Sequence, residues 1–131
     1  MIFLKVLKSA EDYLERILML TEKHGRVRSI DIAIDMDFSK PSISVAMKNL
    51  REQNLITIDH DGIIRLTEEG EKIARDVYDR HCSIMNFFIE IGVPKNIAEE
   101  DACKIEHDIS KESITAIKKL LKKLKSEERK D

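Results

Sequence analysis

Apolar residues recur at helical spacing along most of this chain. Over residues 9–24, Tyr13, Ile17 and Leu20 share one face, Ser9 can cap, and Glu11 and Asp12 fall in the first turn. That pattern predicts a helix, which Gly25 stops. Ser29 is placed to cap a short apolar helix through Ile30, Ala33, Ile34 and Met36. Asp37 to Lys40 form a turn, and Pro41 sits in the first turn of a third helix, where its missing N–H costs little. Ile43, Met47 and Leu50 supply the apolar stripe of that helix. Two short helices joined by a few residues predict a helix-turn-helix.

Short β-branched runs, Ile56–Ile58 and Ile63–Leu66, then flank Asp59-His60-Asp61-Gly62, a hairpin signal. A helix-turn-helix followed at once by a hairpin is the order of a winged helix. Thr67, Glu68 and Glu69 open a long helix to about Ile91, stopped near Gly92 and Pro94. Residues 95–108 predict another helix, and Ser110 caps a last one that ends in a Lys-rich tail. The fold class is therefore mainly α: a winged helix-turn-helix DNA-binding domain, then a helical part, with the pattern changing near Thr67. Ile84, Met85, Phe87, Phe88, Ile89 and Ile91 cover more than one face of the long helix. A dimer interface would take up that surplus; an ordinary core helix is the alternative.

Composition narrows the partners. With 131 residues, the chain makes one compact domain or two small ones. Lys and Arg number 23 against 25 Asp and Glu, so a uniformly basic nucleic-acid coat is excluded and DNA contact needs a local basic face. Two Cys do not make a disulfide framework. No apolar run reaches the roughly 18 residues of a membrane span, and the opening Met1–Lys8 is too short for a signal peptide. The expected setting is cytoplasmic, with no membrane partner.

The segment from Lys40 to Arg51 carries Lys40, Lys48 and Arg51 without an acid, and Ser39, Ser42 and Ser44 beside Pro41. A helix in the major groove needs small polar groups for base edges and cations for phosphates. A plain solvated helix face would look similar. The hairpin tip is acidic and suits phosphate only through His60 and Arg65.

A second set of residues points to a metal. Asp12 and Glu15, three apart, share a face of the first helix, and Cys103, Glu106 and His107 at i, i+3 and i+4 share another. His81 lies inside the long helix. Carboxylate, imidazole and thiolate converging from three helices would hold a transition metal. The alternative is a polar surface trio, with Cys103 a small core residue. Cys82 points about 100° from His81 and reads as core. A Cys103–His107 nucleophile pair has no orienting third group in the sequence.

Beyond these local patterns, the chain resembles the metal-dependent repressors of the diphtheria toxin repressor type, in particular the manganese transport regulators. Ala10–Ile17, Ile32-Ala33, Pro41–Val45, Leu66–Gly70, Tyr78–His81, Phe88–Gly92 and Asp101–Ser110 carry the resemblance, the last being the most specific. It implies a winged-helix DNA-binding domain at 1–71 and a helical metal-binding and dimerisation domain at 72–131. It also implies that Asp12, Glu15, His81, Glu106 and His107 are metal ligands. Asp12 matches the manganese regulators, whereas iron-type members carry Met there. Cys103 departs from them: manganese regulators have Glu at that position, and iron-type members have Cys. Met85 and Glu99 fall where the iron-type ancillary site expects His or Glu. Ending at Asp131, the sequence leaves no room for the third, SH3-like domain of the larger members.

The implied protein is a homodimeric, non-enzymatic repressor of metal-uptake genes. It would bind a double-stranded DNA operator under manganese(II) or iron(II), with zinc(II) or cobalt(II) binding in vitro. A winged helix without a metal switch and a metal-dependent enzyme are the rival readings.

Overall fold

The computed structural model describes residues 8–128. Its elements are α1 (Lys8–His24), α2 (Ser29–Met36), α3 (Lys40–Glu52), β1 (Ile56–Ile58), β2 (Ile64–Leu66), α4 (Glu68–Glu90), α5 (Lys95–Ile105) and α6 (Lys111–Glu128). This is the mainly helical, winged helix-turn-helix architecture that the pattern predicts. The chain divides into two compact units between Asp76 and Val77, inside α4. The sequence reading puts the boundary at 71/72; α4 runs without interruption through both positions, so no linker marks either.

In the first unit, Leu14, Ile17 and Leu20 of α1 pack with Ile32, Ala33, Ile43, Met47, Leu50, Ile56 and Ile64 into one buried cluster. Each of the Leu, Ile and Met side chains contributes about 1.5–3 kcal/mol by leaving water. Ser39 caps α3, its Oγ accepting from the Ser42 N–H at 3.3 Å. Ser29 does not cap α2, as the sequence reading has it. The N-cap is Arg28, and Asp31 of the first turn accepts from the Arg28 N–H at 2.9 Å. Carboxylate in the first turn does there what the serine was expected to do.

The hairpin pairs Ile56 with Leu66, Thr57 with Arg65 and Ile58 with Ile64. Its turn is built on Asp59, which accepts from the N–H groups of Asp61 and Ile63, each at 2.9 Å, and from Arg65 Nη1 at 2.8 Å. Val27 adds a bridge to the other edge of β2, its carbonyl accepting from the Ile64 N–H at 2.8 Å. Thr67 joins the wing to α4. Its hydroxyl donates to the Asn54 carbonyl at 2.8 Å and accepts from the Gly70 N–H at 3.1 Å. At Gly70 a Cβ would stand 1.9 Å from the Leu55 carbonyl oxygen, so only glycine lets the helix approach this closely.

The second unit is smaller. Ile84 of α4, Ala102 of α5 and Ile114 of α6 are buried together, with Met85, Phe88 and Ile109 against them. α5 ends at Ile105, short of the expected 108, because residues 106–108 turn. Ser110 caps α6 as expected, accepting from the Ser113 N–H at 3.1 Å. Of the apolar surplus on α4, Ile84 points into this core, while Ile89 and Ile91 are 37% and 61% exposed. Among the described residues, no helix is long and apolar enough to cross a membrane.

Candidate functional site

Three of the expected ligands meet within the second unit. α4 presents His81 one turn before its buried Ile84. α5 presents Cys103, and the turn that ends it presents Glu106. His81 Nδ1, Cys103 Sγ and a Glu106 carboxylate oxygen all lie within 4.8 Å of one another. Glu106 Oε2 is 2.8 Å from His81 Nδ1, and Cys103 Sγ is 3.8 Å from the same nitrogen. The other carboxylate oxygen, Oε1, is 3.3 Å from His107 Nε2.

The early end of α5 makes this geometry. Glu106 is its C-cap, still helical in conformation, and His107 follows in the turn. One carboxylate is thereby placed between two imidazoles. Glu106 is 1% exposed and the His107 side chain 2%. A carboxylate so buried is costly unless imidazole or a cation balances it. Sulfur, nitrogen and oxygen donors together suit the first-row divalent metals. The donor set therefore fits a metal ion, and Cys103, exposed rather than core, is part of it. Cys82 is half-buried, beside this set in sequence but outside it.

Asp12 and Glu15 lie on α1, in the first unit. Asp12 is half-buried and Glu15 buried.

The expected DNA-contacting residues also belong to the first unit. Lys40, Pro41, Ser42, Ser44, Lys48 and Arg51 are all exposed on α3. Ser39 precedes them as the cap, and its hydroxyl donates to Ser42 Oγ at 2.8 Å. Two of the serine hydroxyls are thus engaged at the helix start. On the wing, Arg65 is held by Asp59, and His60 stands 3.5 Å from Asp61. The Arg65 guanidinium and the turn amides lower the Asp59 carboxyl to about 2. The wing's Arg65 is balanced by its own Asp59, whereas α3 carries Lys40, Lys48 and Arg51 with no acid before Glu52.

Sequence reasoning missed Val27 as a third strand partner and Gly70 as a close-approach position. The Gly70 signal was visible in the run Leu66–Gly70, but its physical reason needs Leu55, which lies outside the run. Val27 is flanked by arginines and gives no strand pattern of its own.

Residues 5–64 match the family model for the N-terminal DNA-binding domain of iron-dependent repressors. Residues 67–131 match the model for their metal-binding and dimerisation domain. The transcriptional regulator MntR of Escherichia coli is 34% identical over 82% of this chain and 70% of its own length. This chain belongs to the iron-dependent repressor family of metal-responsive, DNA-binding transcription regulators.

Within that family, MntR of Bacillus velezensis is 33% identical over 92% of this chain and 84% of its own. A solved manganese-dependent transcriptional repressor in complex with manganese superposes with a TM-score of 0.78 at 28% identity, over 86% of this chain and 52% of that one. The manganese regulator SloR gives 0.76 at 28% identity, over 86% of this chain and 53% of that one. The chain thus spans about half the length of these solved structures. The matched relatives are transcriptional regulators.

Proposed function

We propose that this family member is a homodimeric, cytoplasmic repressor of metal-uptake genes that binds its operator when loaded with manganese(II) or iron(II). The observation that carries the reading is the meeting of His81, Cys103 and Glu106 in the part of the chain matched to a metal-binding domain. His107 and the α1 carboxylates Asp12 and Glu15 complete the proposed ligand set. A bound divalent ion supplies positive charge and fixed coordination directions.

What the chain's own residues do follows from their chemistry. His81 Nδ1 and Glu106 Oε2 face each other at 2.8 Å, a hydrogen bond that a bound ion would replace by taking both as ligands. As proposed ligands, Asp12 and Glu15 would add acidic oxygens of the DNA-binding unit to those of the second unit. Their commitment restricts how the two recognition helices are presented, and half-sites one helical turn apart demand a fixed spacing. Neutralising these acids also lowers repulsion from phosphate. A ligand that favours one arrangement shifts the population toward it.

Along α3, Lys40, Lys48 and Arg51 meet phosphates, and Ser42 and Ser44 face base edges. The test is binding of duplex DNA by the full chain in manganese(II) and in chelator. Metal-dependent binding is the expected result. Lys48→Ala should flatten the salt dependence by about 0.9 in slope for each phosphate that the lysine neutralises in the wild type. Equal affinity with and without chelator would instead mark a winged helix without a metal switch.

A further inference from the structure

α3 buries Ile43, Met47 and Leu50 along one stripe. At about 100° per residue, Val45 faces away from that stripe in the first half of the helix, a direction shared at the far end only by its last residue, Glu52. Val45 is 60% exposed. Its helix neighbours Pro41, Ser42, Lys48 and Asn49 are exposed with it. An isolated exposed apolar residue is ordinary. This one stands at the crest of a Ser39-capped helix that carries Lys40, Lys48 and Arg51 and no acid before Glu52. A β-branched side chain there adds nothing to the core and is a poorer helix former than the lysines around it.

Resting on the reading of α3 as the DNA-contacting helix, we propose that Val45 selects thymine by packing on its C5-methyl, with Asn49 reading an adenine nearby. In the major groove, thymine alone offers an apolar group, and valine's two methyls are its complement. Against cytosine, the same methyls would cover the N4 amino donor without offering an acceptor, a penalty that sharpens the choice. Asn49 follows Val45 by one turn, about 6 Å along the axis. That rise is within two base steps at about 3.4 Å each. Asparagine is the side chain that pairs with both N6 and N7 of adenine. Serine hydroxyls can serve several bases, and that of Ser42 already accepts from Ser39. Discrimination therefore falls to Val45 and Asn49, whereas Lys40, Lys48 and Arg51 take the phosphates. The operator read by α3 should contain an A·T pair in each half-site whose thymine methyl is essential.

The probe is duplex DNA selected from a randomised pool by the manganese-loaded full chain, with each thymine replaced in turn by deoxyuridine. That change removes one methyl and leaves pairing intact. In wild type, one uracil position per half-site should weaken binding about fourfold, the worth of one buried methyl-sized group. Val45→Ala, at an exposed helix position, keeps the fold and should bind thymine and uracil duplexes equally. If no uracil position weakens wild type, or if Val45→Ala is as sensitive as wild type, the proposal fails while the metal-dependent repressor reading stands. If no duplex is selected at all, it is the DNA-binding reading that fails.

Discussion

Glu106 Oε2, at the C-cap of α5, lies 2.8 Å from His81 Nδ1 of α4, with the carboxylate almost wholly buried. The same carboxylate reaches His107 through its other oxygen at 3.3 Å. One acid thus organises two imidazoles, and Cys103 Sγ stands 3.8 Å from the nearer one. Removing that acid would leave two buried imidazoles without their shared acceptor. The arrangement makes sense as a ligand set held ready for a cation.

Metal choice should turn on Cys103. Manganese(II) binds weakest in the divalent series, so its sensors depend on oxygen-rich ligation to exclude rivals. A thiolate gives up one oxygen, and manganese(II) and iron(II) should both activate DNA binding. Zinc(II) should bind through Cys103 but activate poorly, since its tetrahedral preference need not recruit Asp12. Cys103→Glu should raise the preference for manganese(II) by about tenfold, the lower end for changes around a metal. Anaerobic titrations with each metal check this. A wild type indifferent to iron(II), with Cys103→Glu unchanged, would show that Cys103 is not a ligand.

The junction of wing and α4 should tolerate no side chain at Gly70. A Cβ 1.9 Å from the Leu55 oxygen forces backbone movement. Gly70→Ala should therefore destabilise the chain by about 2 kcal/mol or more, despite alanine's better helix propensity. Urea unfolding measures it, and an unchanged midpoint would mean that α4 and the Leu55 loop separate freely.

Most of this architecture was legible in the sequence because it is local. Thr67 and Ser110 cap the helices they precede, and Asp59 to Gly62 turns the hairpin. The three residues of the buried stripe on α3 fall where the spacing puts them. What was not legible depends on partners far along the chain. Val27 becomes a strand neighbour only because Ile64 lies beside it. Arg28, not Ser29, is the N-cap of α2, and Asp31 reaches back to its N–H. At the candidate metal site, spacing placed Cys103, Glu106 and His107 on one face, but the end of α5 at Ile105 sets their final directions. Only the fold brings His81 to Cys103 and Glu106.

Wing stability should depend on acid. Asp59 is held at about 2 by Arg65 and the turn amides, below the usual carboxylate range near 3.9. A carboxyl with a depressed folded value stabilises above its unfolded pKa and loses that contribution as pH falls through the folded one. The window is therefore about pH 4 down to about 2. Over it, wild type should lose more stability than Asp59→Asn, which lacks the charge throughout. Thermal unfolding at pH 6 and near pH 2 checks the sign, and parallel losses in both proteins would contradict it.

Dimerisation should not need metal. Ile89 and Ile91 remain exposed on the second unit, although Ile84 is taken into its core. A partner surface is the natural cover for such residues. Light scattering in chelator should give a dimer at micromolar concentration, and Ile91→Glu should weaken it. A monomeric wild type in chelator would mean that metal drives assembly rather than orientation.

The central claim is that the ligand set around Glu106 holds the ion that licenses DNA binding. The most direct measurement is duplex affinity against free manganese(II) for wild type, Glu106→Ala and His107→Ala, with circular dichroism of each. Wild type should bind DNA more tightly as manganese(II) rises. Both variants should keep their helical signal and lose the metal response. A wild-type response in either folded variant would contradict the account.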